Sequence, residues 1–139
     1  MKFNVKKIII NGLIAGFIIV ISALTMVSVV GNEMDTVLAN RGLPPLSNLD
    51  MTFFCCLSLI FGIFLIFQYA VLKPYFKSRL KAVVIAALTV WVLAYLIPNF
   101  SSVVYGFMPL KLSIIGTFWG LLELLLAGVI CSKLYEIKK

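Results

Sequence analysis

The sequence has no histidine, only five acidic residues, and only 12% charged residues among its 139. Without histidine the most versatile general base and zinc ligand is missing. Three cysteines are present, Cys55, Cys56 and Cys131, all inside apolar runs, and none has the CxxC or Cys/His spacing of a redox or zinc site. Adjacent Cys55 and Cys56 point about 100° apart on a helix, so pairing them would strain the chain. Their simplest role is that of small apolar side chains. There is no Gly-rich phosphate loop and no carboxylate pair set within a span for acid–base work. The expectation is therefore no catalytic residue, no cofactor, no metal centre and no enzymatic activity. Glu33, Asp35 and Asp50 share one loop region, where weak binding of a divalent cation competes with an ordinary solvated loop.

What the chain has in abundance is apolar side chains, at 63%. Soluble domains are closer to half apolar and a quarter charged. A water-soluble fold of this composition would expose too much apolar surface, so the bilayer is the natural solvent. A net charge of +7 taken alone would suggest nucleic acid as a partner. Its placement excludes that reading, because the charges sit in short clusters between apolar runs, as membrane topology signals do.

The pattern predicts an all-α protein, a single transmembrane domain over 1–139 with spans at about 8–30, 51–72, 81–97 and 110–132. The first run, Ile8 to Val30, follows Lys2, Lys6 and Lys7 like the core of a signal peptide, but its 23 residues exceed such a core and no A-x-A site follows. It reads as a retained helix. In the next loop, Asn32 to Arg41 has Met34, Val37 and Leu38 on one face, which suggests a separate short amphipathic helix stopped by Gly42 and Pro44-Pro45. Ser47 to Asp50 has the form of a capping box, so the second helix should begin near Asn48. Pro74 marks the turn after it. The third run, Ala82 to Ile97, is the shortest, with Leu80 and a snorkelling Lys81 extending it and Pro98 expected to end it. Phe100, Tyr105 and Phe107 then suit the headgroup layer, and Pro109 suits a helix start.

Lysine and arginine divide unevenly between the two ends of these helices. Lys2, Lys6, Lys7, Lys73, Lys77, Arg79, Lys81, Lys133, Lys138 and Lys139 fall on one side, and only Arg41 and Lys111 on the other. Ten against two places both termini in the cytoplasm. The basic segment Lys73 to Lys81 would attract anionic headgroups, and orientation alone is the simpler reading of it.

Helices in lipid associate through small residues that admit close backbone approach. Gly12 and Gly16 form such a stripe in the first span, continued by Ile19 and Ala23. Ala82, Ala86, Val90 and Ala94 form one in the third. Gly116, Gly120, Glu123, Ala127 and Cys131 form one in the fourth. The second span has only Gly62, so the expected bundle brings spans one, three and four into close contact.

Glu123 is the one ionisable residue deep in a span, where insertion costs roughly 2.5–3.5 kcal/mol. Two roles compete for it. One is structural, a protonated carboxyl donating an interhelical hydrogen bond. The other is functional, uptake of a proton or cation. Matching depths from the basic ends, about ten residues in, selects Thr89 and Trp91 as its partners, with Trp119 near the edge of the stripe. Asn11, Gln68 and Tyr69 form a second polar group near the basic ends, suited to interfacial anchoring or to a polar vestibule below Glu123.

Arg41-Gly42-Leu43-Pro44-Pro45, Trp91-x-x-x-Tyr95-x-x-Pro98 and Trp119-Gly120-x-x-Glu123 together resemble a group of small bacterial inner-membrane proteins with four spans. The resemblance covers nearly the whole chain. It implies a topology, a bacterial source and an inner (plasma) membrane location, but no activity or cofactor. Small four-helix multidrug transporters have similar size, but they hold their essential glutamate in the first helix, and the run Ile8 to Val30 has no acid. The leading expectation is a non-enzymatic multi-pass protein that self-associates or joins a larger membrane complex. The alternative is a small proton- or cation-coupled transporter that uses Glu123.

Overall fold

The computed structural model describes residues 4–137; the expected topology signals Lys2, Lys138 and Lys139 lie outside that range. The described residues are helical with no strand, and four helices are long and apolar enough to cross a membrane: Val5–Ala39, Asn48–Tyr75, Arg79–Val104 and Leu110–Glu136. The chain is thus built as a multi-pass membrane protein.

Helix α1 (Val5–Ala39) is capped by Asn4, whose side chain accepts from the Lys7 N–H at 3.0 Å. Ile8, Asn11, Gly12, Ala15, Gly16 and Ile19 are buried along one stripe at helical spacing. The segment 32–41 does not form a separate helix, contrary to the sequence expectation. Gly31 costs only about 1 kcal/mol inside a helix and no proline interrupts, so α1 runs straight on. It stops at Gly42, whose φ of 68° supplies the left-handed turn, and the Leu43 N–H closes back on the Leu38 carbonyl at 3.0 Å. At 35 residues, α1 is roughly 50 Å long and outreaches a hydrocarbon core of about 30 Å.

Helix α2 (Asn48–Leu72) begins on the capping box. The Asp50 N–H donates to Ser47 Oγ at 3.2 Å, and the Ser47 N–H donates to Asp50 Oδ2 at 2.8 Å. It ends in a 3₁₀ turn, Lys73–Tyr75, which holds Pro74.

Helix α3 (Arg79–Trp91) leads into a π turn (Val92–Leu96) and then directly into α4 (Ile97–Val104). Pro98 therefore does not end the third span as the sequence suggested. A proline has no N–H to donate, and inside an α-helix its ring would strike the carbonyl four residues back. Here the wider turn comes just before it: the Ile97 N–H donates to the Val92 carbonyl five residues back, and the helix resumes with Pro98 in its first turn. Helix α5 (Leu110–Glu136) begins after Pro109 and carries a long buried stripe from Leu112 to Ser132.

The four spans form an up-down-up-down bundle. Helix α1 packs on α2 and α5, and α3 packs on the same two. Among the described residues α1 and α3 form no packed pair; α2 and α5 meet across the diagonal between them. This corrects the expectation that spans one, three and four pack together. The tightest seam is α1–α2, made by the single glycine of the second span. A Cβ on Gly12 would lie 2.5 Å from Ile63 Cα, and one on Gly16 would lie 2.6 Å from Leu59 Cα. A Cβ on Gly62 would run into the Gly16 amide nitrogen and the Gly12 carbonyl. The two backbones touch, and nothing larger than hydrogen fits between them. Ile19, Leu65, Ile66, Val83, Val90 and Leu124 fill the bundle axis with no exposure to speak of.

Polar groups tie each end. At the basic end Lys7 Nζ donates to the carbonyls of Tyr135 (3.1 Å) and Ile137 (2.7 Å), which α5 leaves open at its C-terminus. The buried Tyr69 donates to Glu136 Oε1 at 2.6 Å, and Lys73 pairs with the same oxygen at 3.2 Å. Asn11 Nδ2 donates to the Lys7 carbonyl at 2.8 Å, while Gln68 is half-buried nearby in sequence to Tyr69. At the other end the overhang of α1 is tied to α5 by Glu33 and Lys111, 2.7 Å apart. Arg41 donates to the Gly106 carbonyl and lies 5.9 Å from the Phe107 ring centre.

Candidate functional site

Glu123 lies midway along α5 between Gly120 and Ala127, both buried, so its backbone faces neighbouring helices rather than lipid. Only 4% of it is exposed. Its partner is not Thr89 or Trp91. Tyr95, in the π turn, donates its hydroxyl to Glu123 Oε1. The Thr89 hydroxyl instead bonds the Ile85 carbonyl of its own helix at 2.9 Å. Trp91 Nε1 donates to the Thr117 carbonyl at 2.8 Å, nearly two turns before Glu123 on α5.

The reason lies in how helical side chains lean. Each tilts toward the N-terminus of its own helix. The third span and α5 run in opposite directions, so Tyr95 and Glu123 lean toward each other, and residues facing at one backbone level are not the ones that meet. The Tyr95 ring lies on Gly120 so closely that a Cβ there would strike the ring carbons. On its other side the ring is braced by Phe61 of α2, at 6.1 Å between centres. From this slot the hydroxyl reaches one turn along α5 to the carboxyl. The π turn serves the same end, because widening the helix by one residue re-aims the side chains it carries.

Gly116 plays no equivalent part in packing. A Cβ there would meet only the Asn99 amide at 3.6 Å. Beyond it the seam is polar: Asn99 Nδ2 donates to Thr117 Oγ1 at 3.0 Å, and Thr117 Oγ1 donates to the Ser113 carbonyl at 2.7 Å.

The second carboxylate oxygen is different. Glu123 Oε2 is buried and has no hydrogen-bond partner. The Ser22 hydroxyl of α1 lies beside the carboxyl and keeps its own proton to donate. It is engaged from the other side, where Trp119 Nε1 donates to Ser22 Oγ at 2.9 Å and to its carbonyl at 3.2 Å. Ser22, Trp119, Leu122, Glu123 and Leu126 together line an open crevice of about 170 Å³ between α1 and α5. Leu122 and Leu126 are the most exposed of these, 67% and 55%, so the crevice opens sideways from the bundle. Sequence reasoning placed Trp119 at the edge of the stripe and missed Ser22 and Tyr95. The signal for Tyr95 was its place one turn past Trp91, opposite a glycine that leaves room for a ring.

No family model matches the chain. No curated protein and no solved structure matches it either. The site therefore stands on its own chemistry: one acid with one oxygen tied and one free, an aromatic wall, and apolar lips.

Proposed function

We propose that the chain is a non-enzymatic protein of a bacterial inner membrane that works by engaging another bilayer component, a second copy or a different membrane protein, on its α1/α5 face. Both termini lie in the cytoplasm on this reading, which the ten-to-two division of basic residues supports. The observation that carries it is the lateral crevice at Glu123. The bundle axis is filled by apolar side chains, while the polar site opens toward the lipid. Intramembrane acids pair with a counter-group or mark ion paths. A site that opens sideways fits the first.

The second reading, a proton- or cation-coupled transporter, draws on one observation, the unpartnered Oε2. Two measurements separate them. A photoactivatable residue in place of Leu126, in the source membrane, gives adducts that the Glu123→Gln change weakens; the same residue in place of Phe53, exposed on α2, gives none. Equal adducts from both positions contradict association at this face. In vesicles, loss of proton-linked flux in Glu123→Gln with unchanged adducts moves the assignment to transport.

A further inference from the structure

We infer that the crevice between α1 and α5 is a binding site for a primary ammonium carried on an apolar chain, which enters from the bilayer and pairs with Glu123 Oε2. The inference rests on the reading of the α1/α5 face as the working surface and names the chemistry that this face accepts.

A carboxyl oxygen buried away from water with no donor is costly, and native structures satisfy nearly all such atoms. The chain places the neutral Ser22 hydroxyl beside the carboxyl but no cation. No lysine or arginine falls between Lys7 and Arg41 in α1, between Arg41 and Lys73 across α2, between Lys81 and Lys111 across the third span, or between Lys111 and Lys133 in α5. The same fact excludes a second copy as the source, because no copy carries a cation at this depth.

Tyr95 occupies Oε1. A guanidinium recognises a carboxylate through a two-pronged fork and loses that advantage when one oxygen is taken. An ammonium is a point charge with three rotatable donors and suits a single oxygen. Ser22 Oγ, which has a second lone pair beyond the one that Trp119 uses, stands on the same wall as a further acceptor.

The indole of Trp119 forms one wall, and aromatic faces favour cations when water is excluded. Leu122 and Leu126 form the lips and suit an alkyl stem. Proton balance is simple. A neutral amine arriving from the lipid takes the proton from the Glu123 carboxyl, leaving an ammonium and a carboxylate joined by one N–H···O bond. No other reactant is needed.

Two sources could present this chemistry, a free amphiphilic amine or a lysine on a neighbouring transmembrane helix. The test uses full-length protein in phospholipid nanodiscs, with empty nanodiscs as the blank. Excess bound decylamine is measured against decanol of the same chain length, for wild type, Glu123→Gln and the crevice-filling Leu126→Trp. In a parallel arm, energy transfer reports association with a leucine-rich transmembrane peptide bearing one central lysine, against its all-leucine form. The expected result is saturable binding of decylamine or of the lysine peptide, weakened about tenfold or more in Glu123→Gln, and lost in Leu126→Trp. Decanol and the all-leucine peptide show no saturable binding. The arm that responds identifies the source.

Equal binding to wild type and to a Glu123→Gln protein of unchanged helix content and size overturns the inference. So does decanol binding as tightly as decylamine, or no binding of either ammonium probe. If Leu126 adducts persist while both ammonium probes fail, the ammonium assignment falls and the association reading stands. If the adducts also fail, both fall.

Discussion

The α1–α2 seam and the seam between the third span and α5 join helices by opposite means. At the first, Gly12, Gly16 and Gly62 bring backbone onto backbone, with no room for a single methyl group. At the second, side chains do the joining: Tyr95 to Glu123, Trp91 to the Thr117 carbonyl, Asn99 to the Thr117 hydroxyl. In lipid both devices work, since neither depends on expelling water. They differ in what they leave over. A backbone seam is closed and has no spare valence. The polar seam ends on a carboxyl with one buried oxygen unspent, on a residue that lines the α1/α5 crevice. The fold is held mainly by the first seam, and the second positions a group that can do something further.

Substitutions can break or sharpen this contrast. The largest effect belongs to Gly62→Val, whose side chain would collide with the main chain of α1 at Gly12 and Gly16. Overpacking of this kind costs about 3 kcal/mol or more when only backbone can yield. Reversible unfolding in mixed micelles should show most of the stability lost. Near-normal stability would mean that the α1–α2 seam is not what holds the bundle.

Next is Glu123→Ala, which leaves the Tyr95 hydroxyl without its acceptor and opens a gap beside Gly120. A cost of about 1–3 kcal/mol is expected, while Glu123→Gln, which keeps an accepting oxygen, should cost less than about 1 kcal/mol. If the two variants unfold alike, the Tyr95 bond contributes nothing.

A smaller effect follows from Tyr95→Phe, which removes only the hydroxyl and leaves the ring on Gly120. Interhelical hydrogen bonds in membranes average about 0.6 kcal/mol and reach about 1.7. A double-mutant cycle with Glu123→Gln measures the coupling, and zero coupling would show that the two groups do not interact. The smallest effect is expected for Gly116→Ala. The site is open apart from the Asn99 amide at 3.6 Å, and alanine is the better helix former by about 1 kcal/mol. Stability should be unchanged or slightly raised; a marked loss would place Gly116 back in a packed seam.

The contrast also explains what could be read from the residues. Four long apolar runs announced four helices, and Ser47 with Asp50 marked where α2 starts. Glu123 stood out because it is an acid on a stripe of small residues. The second span concealed its role, because one glycine makes no stripe. Gly62 matters because it meets a pair on α1, a fact of three dimensions. Pro98 misled for a local reason: a proline after an ordinary turn ends a helix, while a proline after a π turn continues one, and the pattern of residues does not distinguish them. Counting depth from the helix ends selected Thr89 and Trp91 because it treats side chains as lying level with their own Cα atoms. The opposed lean of antiparallel helices brings Tyr95 to the acid instead.

The central claim is that Glu123 is reached from the lipid, through the crevice between α1 and α5, and not from water. A carbodiimide reacts with a protonated carboxyl, and its N-acylurea product can be located by peptide mass. Labelling of the membrane-embedded protein with a lipid-soluble carbodiimide should modify Glu123, and filling the crevice with Leu126→Trp should suppress it. A water-soluble carbodiimide should leave Glu123 untouched while modifying exposed acids such as Asp35. Modification of Glu123 by the water-soluble reagent, or lipid-side labelling that ignores the crevice-filling change, would contradict the account.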